Sequence, residues 1–151
     1  MKPNLYSAKV ADSIETRINK LDRHDNPLWG KMDAAQMLAH CSDVLDAYSG
    51  RKPFGKMPRF AWLFKWAIKR VVIGKKPYSR NSPTLPQFKI TESKSFDYEK
   101  GRLMEAIDYF RRQSKKESES INHPLFGRMN MKDRGWAMYK HLNHHLEQFG
   151  V

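Results

Sequence analysis

The chain has 151 residues, 40% of them hydrophobic, and its 28 lysines and arginines outweigh 16 acids to give a net charge of +12. That length and apolar share suffice for a core, which argues against global disorder and predicts one domain over residues 1–151. A single cysteine, Cys41, excludes a disulfide framework and a four-cysteine zinc site, so a metal centre here must lean on the six histidines.

Residues 1–7 hold no apolar stretch of the secretory kind, and the expected location is the cytoplasm, which the sparse cysteine also fits. Val10, Ile14, Ile18 and Leu21 recur at helical spacing and predict a first helix over 7–21, followed by a turn cluster at 22–27. Asp33 with Gln36 forms a capping-box signature for a second helix, with Met37, Leu38, Cys41, Val44, Leu45 and Tyr48 as its apolar stripe and Gly50 as its stop.

A third helix is expected over 58–73, closed by Gly74. It is apolar on nearly all sides, yet Lys65, Lys69 and Arg70 interrupt it and it falls short of the ~20 residues that cross a bilayer, so no transmembrane segment is expected. Such a helix needs a second cover, which a two-fold homodimer or the proline-rich connection at 75–87 would supply. A fourth helix begins near Ser95 or Asp97, turns Leu103, Met104, Ile107 and Phe110 inward and dissolves into the polar run 113–120. The last is capped by Asn130 and stopped by Gly150. Every periodic segment reads as a helix, and the expected class is all-α.

Charge is concentrated in one stretch. Between Asp46 and Glu92 there is no acid, while 11 of the 28 bases lie there, from Arg51 to Lys89. Phe54, Phe60, Trp62, Phe64, Trp66 and Tyr78 interleave with them, a pattern open to nucleic acid or another anionic surface. Because no nucleic-acid-binding signature accompanies it, any nucleic-acid affinity should be nonspecific and steeply salt-dependent.

Three histidines, His141, His144 and His145, crowd into the last helix. Residues four apart share a helix face, so His141 and His145 can reach one cation together while His144 points away. On the second helix, His40 falls on the shoulder of the apolar arc. The two arrangements suit a groove between helices. Isolated, each also fits an ordinary boundary histidine, and His24, His123 and His144 read as surface or loop residues.

Two longer stretches sharpen this reading: Trp29-Gly30-Lys31-Met32-Asp33 leading into the His40 helix, and His123-Pro124-Leu125-Phe126-Gly127 preceding the Lys140 to Gly150 segment. With the histidines, they resemble an uncharacterised branch of the DinB-like (YfiT-like) metalloenzyme superfamily. The resemblance spans nearly the whole chain. It implies a four-helix bundle, here with an extra short helix and a long proline-rich loop, holding a divalent metal on His40, His141 and His145. It also implies dimers, and activities that include thiol-dependent transfer and isomerisation. Many members of the superfamily carry an arginine-glycine pair after the last ligand, where this chain has Leu146-Glu147.

A three-histidine site leaves coordination positions open, which suits hydrolysis or thiol transfer on a small-molecule substrate, with zinc or nickel as the metal and a low-molecular-weight thiol as cosubstrate. A non-catalytic metal-binding or ligand-binding bundle would carry the same histidines. Asp43, three residues after His40, is the candidate base or supporting acid, with a solvated surface acid as the alternative. Cys41 reads as a buried structural thiol, and Trp29, Phe126 and Trp136 as packing residues.

Overall fold

The computed structural model describes residues 2–151. Among them run seven α-helices, α1 (Ala8–Asn19), α2 (Ala34–Tyr48), α3 (Arg59–Leu63), α4 (Lys65–Ile73), α5 (Phe96–Arg112), α6 (Lys115–Ser120) and α7 (Met131–Gln148). A 3-10 turn at Pro86–Phe88 precedes α5, and a minimal antiparallel hairpin of β1 (Asn122–His123) and β2 (Gly127–Arg128) precedes α7. None of these helices is long and apolar enough to cross a membrane.

The four long helices share one core. α1 and α2 each lie against both α5 and α7. Ile14 and Ile18 of α1, Met37, Leu38 and Leu45 of α2, Leu103, Ile107 and Phe110 of α5, and Leu142 and Leu146 of α7 meet in it. These are the apolar positions that the sequence spacing picks out, because residues three and four apart must share a face. Met104 is only partly buried at its edge.

Three local features differ from expectation. The 58–73 helix is two helices, bent at Phe64, whose φ of −103° and ψ of 16° leave helical geometry. Phe60, Trp62, Phe64 and Trp66 are modest helix formers and none of them is buried, so packing does not compensate for their weak propensity. The polar run 113–120 folds as α6 because Ser114 and Glu117 close a reciprocal capping box: the Ser114 hydroxyl accepts from Glu117 N at 3.2 Å and the Glu117 carboxylate accepts from Ser114 N at 2.7 Å. The His-Pro-Leu-Phe-Gly stretch forms the hairpin turn, with Gly127 at a φ of +68°.

α4 is tied down by its backbone. The Lys140 ammonium donates to the Val71 and Gly74 carbonyls, Trp136 Nε1 to Ile73 O at 3.1 Å, and Lys2 Nζ to the same oxygen at 2.6 Å. Cations at a helix C-terminus satisfy its orphan carbonyls and its dipole. The outer flank gains no such cover from the chain, the proline-rich connection included, and Phe60, Trp62, Leu63, Phe64, Trp66 and Val71 stand exposed.

Two glycines give predictions of opposite sign. A Cβ at Gly135 of α7 would sit 1.9 Å from Asn4 Oδ1 and 2.8 Å from the Tyr6 ring, where residues 4–6 cross the helix. Gly135→Ala should therefore destabilise by about 1–3 kcal/mol, despite alanine's better helix propensity. At Gly101 of α5 nothing lies within 4 Å, and Gly101→Ala should stabilise by about 0.5–1 kcal/mol. Urea denaturation of the two variants checks both signs.

Candidate metal centre

Capping fixes the helices that carry the histidines. Asp33 Oδ1 accepts from Gln36 N at 2.8 Å and Gln36 Oε1 accepts from Asp33 N at 3.1 Å, starting α2, and Asn130 Oδ1 accepts from Asp133 N at 2.7 Å, starting α7. α2 and α7 run antiparallel, since Tyr48 meets Arg134 near one end, His40 meets His141 mid-way and the Trp29 carbonyl meets Gln148 at the other. His40, His141 and His145 converge in that groove, with one ring nitrogen from each within 4.8 Å of the others.

Hydrogen bonds orient two of the three rings. His40 Nδ1 lies 2.8 Å from the Phe88 carbonyl, which can only accept, so Nδ1 carries the proton and Nε2 keeps a lone pair. Gln148 Nε2 donates to the Trp29 carbonyl at 2.6 Å, turning Gln148 Oε1 toward His145 Nδ1 at 2.9 Å, so the His145 proton also sits on Nδ1. Both Nε2 atoms are left as donors for a cation, the arrangement metal-binding histidines commonly show. His141 Nε2 lies 3.0 Å from His40 Nε2.

The environment holds these rings neutral, the form that binds metal. Burial lowers the proton affinity of all three. For His141 the neighbouring His145 and His40 add to the depression; for His145, pushed down to about 3, His40 does, while Gln148 pulls the other way.

Phe88 and Gln148 are supporting residues that the sequence reading did not single out. The only sequence signal for Gln148 is its place three residues after His145, next to that ligand on the helix face. Gly30 explains the tryptophan-glycine lead-in: at a φ of +86°, a Cβ there would fall 2.5 Å from Gln148 Nε2. Glycine thus leaves room for the amide that joins Trp29 to His145.

Asp43 is buried rather than solvated. Its carboxylate is 2.7 Å from Arg102 Nη2 and 3.0 Å from Lys52 Nζ, and it acts on His40 as a charge that favours protonation, while the Nδ1 partner is Phe88. His144 lies outside the cluster, facing Trp29 and Tyr78 with ring centroids 5.7 Å away in each case. His24 is exposed, as expected. His123 is not a surface residue: it is buried in the hairpin, stacked on Phe126 at 4.1 Å, and its Nδ1 accepts from Leu125 N and Phe126 N. Cys41 is buried as expected, and burial pushes its thiol up, away from reactivity.

Fold and site together define a helical protein with a three-histidine cluster suited to a metal ion, placed between antiparallel helices. The chain belongs to the family described as Protein of unknown function (DUF1569), which matches residues 6–150. No curated protein and no solved structure matches it.

Removing the Gln148 amide should free the His145 ring, so Gln148→Leu should weaken zinc binding about 10–100-fold. Gly30→Ala, which displaces the same amide, should weaken it in the same direction. A competition titration with a chromophoric chelator reads both, and parent-like affinity in Gln148→Leu would show that the amide does not hold the ring.

Acid sensitivity follows from His123, whose pKa falls from the ordinary 6.5 to about 3 through burial and then the Arg134 charge. Below pH ~6.5 the unfolded chain takes up a proton that the folded chain refuses until about 3, so stability declines as pH falls across that window, by at most about 5 kcal/mol. His123→Asn keeps an acceptor for the two backbone amides but cannot titrate there. Its denaturation midpoint should fall less steeply than the parent's between pH 6.5 and 4; parallel curves would remove His123 from the account.

Proposed function

We propose that this chain is a bundle of the DinB-like kind in one domain, acting as a metal-dependent enzyme on a small molecule, with a divalent zinc or nickel ion held by His40, His141 and His145. The observation that carries the reading is the convergence of three neutral imidazoles from two helices, with two of them aimed by carbonyl acceptors. A divalent ion on three neutral imidazoles keeps open positions and lowers the pKa of a water or thiol that occupies one.

The protein's own contribution is placement. The Phe88 carbonyl and the Gln148 amide hold the His40 and His145 rings at fixed tautomers, and burial keeps protons from competing for the nitrogens. Asp43 supplies a negative charge beside His40. Its oxygens, engaged by Arg102 and Lys52, favour the supporting role over the base among the two that the sequence offers it. Hydrolysis and thiol transfer are the two chemistries this arrangement serves, with a low-molecular-weight thiol as cosubstrate in the second.

Elemental analysis of protein purified without an affinity tag should find a stoichiometric divalent metal. His40→Ala, His141→Ala and His145→Ala should each lose it, by more than the ~10–100-fold typical of supporting residues, while His144→Ala should retain it. Loss of metal should leave the helical circular-dichroism signal in place, because the core is built from other residues. For the enzymatic part, glutathione should bind the zinc-loaded protein but not the metal-free one, or the loaded protein should hydrolyse members of an ester panel. Failure of both would leave a metal-binding bundle without catalysis.

A further inference from the structure

The α3–α4 excursion joins two features that rarely share a surface. Six large apolar side chains, Phe60, Trp62, Leu63, Phe64, Trp66 and Val71, are 53–79% exposed within 12 residues. Around them stand Lys56, Arg59, Lys65, Lys69, Arg70, Lys75 and Lys76, none of which forms an ion pair among the described residues, whereas Arg51 and Lys52 just before them are paired with Asp46, Glu105 and Asp43. With no acid anywhere from 47 to 91, the excursion presents apolar rings and uncompensated positive charge together.

From this surface we infer that α3 and α4 dock the protein onto an anionic lipid bilayer, lying in its interface. Charge complementarity selects the occupant. Lipid phosphates and carboxylates neutralise the lysines and arginines, while tryptophan and phenylalanine rings settle at the headgroup level and Leu63 and Val71 reach the acyl boundary. Long basic side chains can reach outward from an apolar helix to do this, and the Lys65 ammonium already shares the surface with an exposed ring, lying over Trp66 at 5.4 Å. The helices lie on the bilayer and do not cross it.

Two other occupants fit less well. A second copy of the chain would bring two positively charged patches face to face, with no acid from 47 to 91 on either to pair with the other's bases. Single-stranded nucleic acid would satisfy the charge, but it stacks on rings that line a groove, whereas these side chains project from convex helices interspersed with aliphatic ones. The backbone bonds from Lys2, Trp136 and Lys140 hold α4 in place with its apolar flank outward, so no refolding is required before contact. The inference is independent of the metal centre, since none of its residues belongs to the histidine cluster.

The test is co-sedimentation of the full chain with vesicles of mixed phosphatidylserine and phosphatidylcholine, against vesicles of phosphatidylcholine alone, with tryptophan emission recorded in parallel. Binding to the anionic vesicles with a blue shift of the emission, and at least tenfold weaker binding to the neutral ones, is the expected result. Trp62→Glu with Trp66→Glu should reduce anionic-vesicle binding at least tenfold while leaving circular dichroism and zinc binding as in the parent; both side chains are solvent-facing, so the fold should tolerate them. Lys65→Gln with Lys69→Gln and Arg70→Gln, a milder change, should weaken binding and flatten its salt dependence. Absence of binding to anionic vesicles overturns the proposal, as does binding that neither variant weakens. So does displacement of the protein from vesicles by a single-stranded oligonucleotide bound more tightly through the same residues. A stable dimer split by the tryptophan variant, with no vesicle binding, would assign the face to a second copy and equally overturn it.

Discussion

The fully buried guanidinium of Arg134 fixes the frame in which the site is built. One terminal nitrogen donates to the Tyr48 carbonyl and the other to Ile121 O, so the C-terminal ends of α2 and α6 converge on it, and the cation also faces the Tyr48 ring at 5.6 Å. Carbonyls at a helix C-terminus are otherwise unsatisfied and carry partial negative charge, which compensates a buried cation without a carboxylate. Burial lowers the proton affinity of Arg134, but from so high an ordinary value that the group stays charged. Replacing it with an apolar residue would leave those oxygens without their donor.

From that anchor the register of the antiparallel pair follows. His40 lies eight residues before Tyr48, ~12 Å up α2, and the turn of α7 that reaches the same level is the one with His141 and His145. At the far end Gln148 closes the pair on Trp29. The three imidazoles therefore meet because contacts at both ends of α2 and α7 leave their middles one relative placement. Their closeness is costly for protons, since a charge on one ring disfavours a charge on the next, and the same closeness is what a single cation requires of its ligands.

Much of this was legible because it depends on period and on local chemistry. The capping box at Asp33, the cap at Asn130, the stop at Gly50 and the shared face of His141 and His145 follow from residue types at fixed spacing, which a helix converts into geometry without knowledge of the rest of the chain. What stayed hidden depended on tertiary neighbours. Nothing local distinguishes His123 from a loop histidine until Phe54 and Phe126 close over it, nor Asp43 from a surface acid until Arg102 arrives from α5. Phe88 aims His40 through its backbone, so its side-chain identity carries no signal at all. The family match to residues 6–150 adds membership without a chemistry, and the DinB-like reading rests on the motifs and the histidine cluster.

Apolarity misleads most between residues 58 and 73. A run of aromatic residues ordinarily reads as core, yet here a single buried alanine, Ala61, and the partly buried Val72 and Ile73 make the inward contact, and the remaining attachment is polar. Lys140, which like Trp136 donates to two of the α4 carbonyls, immediately precedes His141. One turn of α7 thus holds the α4 carbonyls on one side and a candidate ligand on another. Successive side chains on a helix diverge by about 100°, which is why Lys140 reaches the α4 carbonyls while His141 turns into the groove with His40. The polar attachment of the exposed helices and the histidine cluster therefore sit on adjacent residues of α7, facing different ways, and no side chain of α3 or α4 belongs to the cluster.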